Sequence, residues 1–154
     1  MENISKHISY REGIRSTTAD RLGIDNKPGQ VELVNMEVIA ERIFEPLREW
    51  VGGPIRINSF YRSPKLNKAI GGSKRSQHIE GRAMDIDDTY GHKTNAEMFI
   101  FIKQNLDFDQ MIWEFGTDDN PNWVHVSYVS EDSNRNRCLK AYKDANNKTK
   151  YMVI

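Results

Sequence analysis

At 154 residues, with 38% hydrophobic and 29% charged side chains, the chain can bury a core of its own within one domain. Lys+Arg and Asp+Glu both number 22, so the formal net charge is zero and the broad basic footprint of a nucleic-acid binder is absent. One cysteine, Cys138, excludes an internal disulfide and a multi-cysteine metal site, and no run approaches the roughly 20 apolar residues that span a bilayer.

Residues 1–30 read as a polar N-terminal extension packing on the domain, closed by Pro28 and Gly29. Ser16 to Asp20 could start a short helix there. The first residues carry no apolar leader, so the expectation is synthesis in a cytoplasm without a signal peptide. From Val31 to Trp50 the residues Met36, Ile39, Ile43, Leu47 and Trp50 step by three or four, the stripe of an amphipathic helix. Pro46 lies inside it without an N–H for Arg42, which predicts a kink, and Gly52-Gly53-Pro54 ends it.

Ile55 to Phe60 alternates as a strand, and Ser63-Pro64 reads as an N-cap with proline in the first turn of a short helix before Gly71-Gly72. A second strand spans Ala83 to Asp87. A third helix starts at Thr94, where Thr94-x-x-Glu97 forms a capping box, and runs to about Asn105. Strands follow at Gln110 to Phe115 and Asn122 to Tyr128, with two more candidates around Cys138–Tyr142 and Tyr151–Ile154. The Cys138 strand reads as holding a buried, inert thiol. Helices followed mostly by neighbouring strands argue for a single α+β domain, an antiparallel sheet flanked by helices.

Three of these strands carry one ionisable residue in an apolar setting. Period two puts Asp85 opposite Met84 and Ile86, and His125 opposite Val124 and Val126. It puts Glu114 opposite Trp113 and Phe115, on the face shared with Ile112. His78 lies seven residues before Asp85, in the glycine-bearing loop Ser76 to Gly81. Two imidazoles and a carboxylate suffice to hold a catalytic zinc and leave a fourth position for water, whose pKa zinc lowers toward ~7. A further carboxylate must then move the proton, and Glu114 is the candidate. Lone strand histidines are more often surface or core residues, and Asp85 could equally serve a turn or an ion pair. Residue chemistry alone leaves these roles open beside the metal site.

The segments Ser59-Phe60-Tyr61-Arg62-Ser63-Pro64, Leu66-Asn67, Gly71-Gly72, Ser76-Gln77-His78-x-x-Gly81-x-Ala83-x-Asp85 and Trp123-Val124-His125-Val126-Ser127 together resemble the M15 family of zinc D-Ala-D-Ala peptidases. The branch they look like is the one common in bacteriophages and prophages. The resemblance covers roughly residues 5–130, with the signature between about 30 and 130 of a single domain over 1–154. It implies a Hedgehog/DD-peptidase-like fold, Zn2+ held by His78, Asp85 and His125, and Glu114 as general base. It also implies that Arg62 steadies a scissile carbonyl or substrate carboxylate, and that Ser76 either bonds substrate or caps its loop.

Some branches place the acid three residues before the second histidine. That position is Asn122 here, which cannot act as a base and so favours Glu114. Arg62 could instead serve a structural ion pair, and Trp123 reads as a packing neighbour. Asp87 and Asp88 read as a solvated turn, and His7 and His92 as surface residues.

The implied activity is hydrolysis of a peptide bond in the peptidoglycan stem, as carboxypeptidase or endopeptidase, by a monomer with no nucleic-acid or membrane partner. Such an enzyme would reach the wall after release during phage or prophage lysis, or as a virion part. The alternative is a non-enzymatic, zinc-stabilised binding module of a phage particle. A metal-dependent nuclease fits poorly, for want of a carboxylate-rich cluster or basic patch.

Overall fold

The computed structural model describes residues 2–154. Its frame is a six-stranded sheet formed by β3 (Arg56–Ser59), β4 (Ala83–Asp87), β5 (Gln110–Glu114), β6 (Trp123–Ser127), β7 (Arg137–Lys143) and β8 (Thr149–Val153), in the order β3-β4-β6-β5-β7-β8. The first four lie on strands read from the sequence, and β7 and β8 fall at the two further candidates around Cys138–Tyr142 and Tyr151–Ile154. The pairings are antiparallel except β5 with β7, which is parallel, so the sheet is mixed where the sequence suggested an antiparallel one. The cause is the connection. After β6 the chain loops through residues 128–136 and re-enters beside β5 running the same way, with Asn136 N–H on the Phe108 carbonyl and Arg137 N–H on the Asp109 carbonyl.

The N-terminal residues are more structured than their polarity suggests. β1 (Asn3–Ser5) and β2 (Ile8–Ser9) form a small antiparallel ladder. α1 (Tyr10–Ile14) follows, closed by a Ser9/Glu12 capping box, and α2 (Thr17–Leu22) is capped by Ser16 as its sequence allows. Ile4 and Ile8 reach the main core.

The long helix of the sequence reading appears over 30–51 as α3 (Gln30–Ile39), a π-helical segment (Ala40–Phe44) and α4 (Glu45–Val51). The disturbance lies before Pro46 rather than at it. Proline cannot donate to Arg42, and the turn ahead of it widens so that Glu45 N–H reaches the Ala40 carbonyl. Met36, Ile39, Ile43 and Leu47 are fully buried, while Trp50 sits at the margin, stacked on Phe101 at 4.4 Å. α5 (Pro64–Ala69) and α6 (Asn95–Asn105) begin at the predicted caps, Ser63 and Thr94.

One face of the sheet is buried. Met84, Ile86, Met111, Val124, Val126 and Cys138 pack against the long helix and α6 residues Met98, Phe99 and Ile102. Burial raises the Cys138 thiol pKa, in keeping with an inert core cysteine. Since successive strand residues point to opposite faces, that packing forces Asp85, His125, Ile112 and Glu114 onto the other face. The helices therefore determine where the polar residues emerge.

Candidate active site

Four strands align the site. Ser59 lies opposite Asp85, Asp85 opposite His125, and His125 opposite Ile112, giving one row across β3, β4, β6 and β5. Glu114 stands opposite Trp123, two residues along from that row on the same face, roughly 7 Å away by strand rise. Asp85, His125, Ile112, Glu114 and Trp123 share an open cleft of about 460 Å3 with Arg62, Ser76, Gln77, His78, Leu139 and Tyr151.

His78 enters from the loop that covers this face. The loop closes on itself through Gly81 N–H to the His78 carbonyl and Arg82 N–H to the Gln77 carbonyl. Gly81 is required for that turn: its φ is +73°, and a Cβ would stand 2.4 Å from the Glu32 carbonyl oxygen. The His78 ring is 2% exposed, and its Nδ1 lies 2.6 Å from the Phe60 carbonyl oxygen. A carbonyl can only accept, so Nδ1 carries the proton and Nε2 presents its lone pair to the cleft. Burial lowers the His78 pKa, only partly offset by Asp85, which keeps the ring neutral, the form that binds a metal.

Asp85 Oδ1 lies 2.9 Å from His125 Nδ1 and 3.4 Å from His78 Nε2. One ligand atom from each of the three residues falls within 4.8 Å of the others. A tetrahedral ion ~2.0–2.1 Å from each donor would hold donors roughly 3.3 Å apart, so small side-chain adjustments would let the set close on zinc. Asp85 is 7% exposed, and burial alone would raise its carboxyl pKa. The neighbouring imidazoles of His78 and His125 outweigh burial and hold it well below the usual carboxylate range. An ionised carboxylate between two imidazoles completes a hard, anionic donor set.

Arg62 Nη2 donates to Asp85 Oδ2 at 3.3 Å, and its Nε donates to Ser59 Oγ at 3.0 Å. The ion pair expected of a purely structural arginine is thus present, yet the guanidinium also lines the cleft. Its segment is fixed from behind by buried Asn26, whose Nδ2 donates to the carbonyls of Ile14 and Tyr61 and whose Oδ1 accepts from Ser63 N–H.

Glu114 is half-buried beside Trp123, and burial raises its pKa to about 7, opposed by His125 and reinforced by Asp85. The indole Nε1 of Trp123 is buried with no partner in good hydrogen-bonding geometry, although it lies close enough to steady the Glu114 carboxylate. Ser76 lines the cleft and its Oγ accepts from His78 N–H at 3.2 Å, so it caps the loop while facing the site. Asn122 is exposed and outside the cleft.

One strand assignment needs correction. Phe115 does not continue the face of Trp113. Its φ is +56°, which breaks the alternation and turns its ring onto the Glu114 face against Ile112, Leu139 and Ala141, 5.7 Å from Trp123. Asp88 accepts from the N–H groups of Gly91, His92 and Lys93, as a turn residue does, whereas Asp87 is no solvated turn residue: it ends β4, half-buried, and accepts from the buried Asn95 Nδ2. His7 and His92 are exposed, and His7 pairs with Glu45.

The Peptidase M15 family model matches residues 6–127. The chain belongs to the peptidase M15 family. A search of curated proteins gives no match. M15 peptidases are zinc-dependent, which makes this chain a metallopeptidase by family, with His78, Asp85 and His125 as the group that could hold the ion. The M15 match ends at β6, so the β7–β8 hairpin lies outside it and still supplies Leu139 and Tyr151 to the cleft. Sequence reading missed Leu139 and Tyr151, because no local spacing ties them to the motif residues. It also gave Gln77 no role, though Gln77 lines the cleft and bonds buried Asp109, itself held by Arg135. Among the described residues, no helix is long and apolar enough to cross a membrane.

Proposed function

We propose that the protein hydrolyses a peptide bond in the stem peptides of bacterial peptidoglycan, with His78, Asp85 and His125 holding zinc and Glu114 acting as general base. The observation that carries this reading is the shared cleft. It gathers a three-residue donor set, a carboxyl group of near-neutral pKa and a guanidinium, with room for a peptide.

Bound zinc supplies a Lewis acid that polarises a carbonyl oxygen and acidifies water. Glu114 then takes the proton of the attacking water and hands it to the amine leaving as the C–N bond breaks. A base with a pKa of about 7 is suited to both transfers, since it accepts and releases a proton near neutral pH. Arg62, fixed by Ser59 and Asp85, offers its remaining N–H groups to the oxygen on which negative charge develops. The Ser76 oxygen accepts from His78 N–H, which leaves its hydroxyl hydrogen free to donate to substrate. The setting we infer is wall lysis by a phage or prophage enzyme acting as a monomer, a reading that rests on motif resemblance.

The test is elemental analysis of protein purified without added zinc, with digestion of peptidoglycan followed by mass spectrometry. About one zinc per chain with new stem-peptide fragments or released D-alanine is the expected result. One zinc with no product from several wall types would favour a zinc-stabilised binding module instead. Glu114→Ala should lose ~10²–10⁴ in kcat while keeping its metal. His125→Ala should lose the metal itself.

A further inference from the structure

We propose that Tyr151, on the C-terminal hairpin, is a substrate-contacting residue that sets specificity at the β8 side of the cleft. This rests on the peptidase reading above and extends it to a residue outside the family match.

The register of the sheet carries the argument. Glu114 is paired with Ala141, and Ala141 with Tyr151, so the three lie in one row across β5, β7 and β8. Strand spacing puts the Cα atoms of Glu114 and Tyr151 roughly 9–10 Å apart. Between them stands Ala141, the smallest side chain of the row and fully buried. Tyr151 lines the same cleft as Glu114, Trp123 and His125. Burial raises the phenol pKa, and the Glu114 charge raises it further, which places the two groups within electrostatic reach.

Position decides what the residue can touch. Arg62 bonds Asp85 and Ser59 on the β3–β4 side of the donor set, whereas Tyr151 lies beyond Glu114 on the opposite side. A peptide running across the strands from Arg62, past the metal ligands and Glu114, meets Tyr151 next. The ring and Leu139 present an apolar wall to a substrate side chain, and the phenolic O–H can donate to a carbonyl or carboxylate oxygen of the peptide. At 56% exposed, Tyr151 is open to an incoming chain rather than committed to the core. An aromatic on an edge strand is ordinary for β-structure, so the test must separate the hydroxyl from the ring.

Zinc-loaded wild type, Tyr151→Phe and Tyr151→Ala are compared on purified muropeptides, with KM and kcat resolved by mass spectrometry. Zinc content and melting temperature serve as controls. Tyr151→Phe should lower kcat/KM about 3- to 10-fold, mainly through KM, as the loss of one substrate hydrogen bond would. Tyr151→Ala should lower it further. Calorimetric titration of the same muropeptide into Glu114→Gln protein, with and without Tyr151→Phe, should show the same loss of affinity without turnover. A Tyr151→Ala enzyme within twofold of wild type in both constants would overturn the inference and leave the peptidase reading intact. Wild type that neither cleaves nor binds muropeptides would overturn the substrate reading, and this inference with it.

Discussion

Replacing Glu114 by Gln should stabilise the metal-free protein at alkaline pH while disabling it as an enzyme. Burial raises the Glu114 pKa from its ordinary 4.5 to about 7, so the fold holds the proton more tightly than the unfolded chain does. Below about pH 4 the group is neutral in both states and contributes nothing to the balance. Between the two pKa values the unfolded chain ionises first, and stability falls as pH rises. Above pH 7 the full penalty applies: at about 1.36 kcal/mol per tenfold change in proton affinity, a rise from 4.5 to about 7 is on the order of 3 kcal/mol. Gln has the same shape and never ionises, so the penalty disappears. Urea unfolding of chelator-treated wild type and Glu114→Gln at pH 4 and pH 8 measures it directly. The variant should gain on the order of 3 kcal/mol at pH 8 relative to any offset seen at pH 4. Added zinc should narrow the gap, because a nearby cation favours the carboxylate. A difference that stays flat across this range would refute the assignment of Glu114 as a carboxyl group held protonated by burial.

Three further outcomes are expected. Arg62→Lys cannot bond both Ser59 and Asp85 as the guanidinium does, and steady-state kinetics should show kcat/KM down ~10²–10³ with zinc content unchanged. Asp109→Asn breaks the carboxylate that receives Gln77 and three donors of Arg135, at a cost of ~1–3 kcal/mol near pH 7. Although burial would raise the Asp109 pKa, hydrogen bonds from Arg135 and Gln77 hold it below its ordinary value. Its contribution is therefore present above the unfolded pKa of about 3.9 and lost as pH falls through the folded one, so unfolding at pH 3 should show a smaller difference than at pH 7. Gly81→Ala forces a Cβ against the Glu32 carbonyl at positive φ, and its melting curve should report a loss of about 1–3 kcal/mol. An unchanged melting point there would mean that the His78 loop relaxes freely.

The donor set was readable because each of its strand residues interrupts an apolar alternation. Met84 and Ile86 must face the helices, so Asp85 cannot, and the same holds for His125 between Val124 and Val126. The caps at Ser63 and Thr94 were readable because each serine or threonine acts on a backbone N–H three residues away. Where partners are distant in sequence, such signals stop. Asp109 meets Arg135 and Gln77, Asn26 meets Tyr61 and Ser63, and Tyr151 meets the Glu114 strand through a parallel pairing that no local pattern announces. β1 and β2, at three and two residues, are too short to show any period. Phe115 was misplaced because one left-handed residue undoes the parity on which strand reading depends.

The parallel pairing of β5 with β7 also orders events in time. The strand carrying Glu114 gains its second neighbour only once residues 137–143 exist, after more than twenty intervening positions. At roughly 5–20 residues per second of synthesis, a nascent chain spends seconds with one rim of β5 bare. A bare rim of that kind invites pairing with a foreign strand. Ribosome-bound chains stalled before β7 should therefore be the most aggregation-prone, and should lack the side of the cleft that Leu139 and Tyr151 complete.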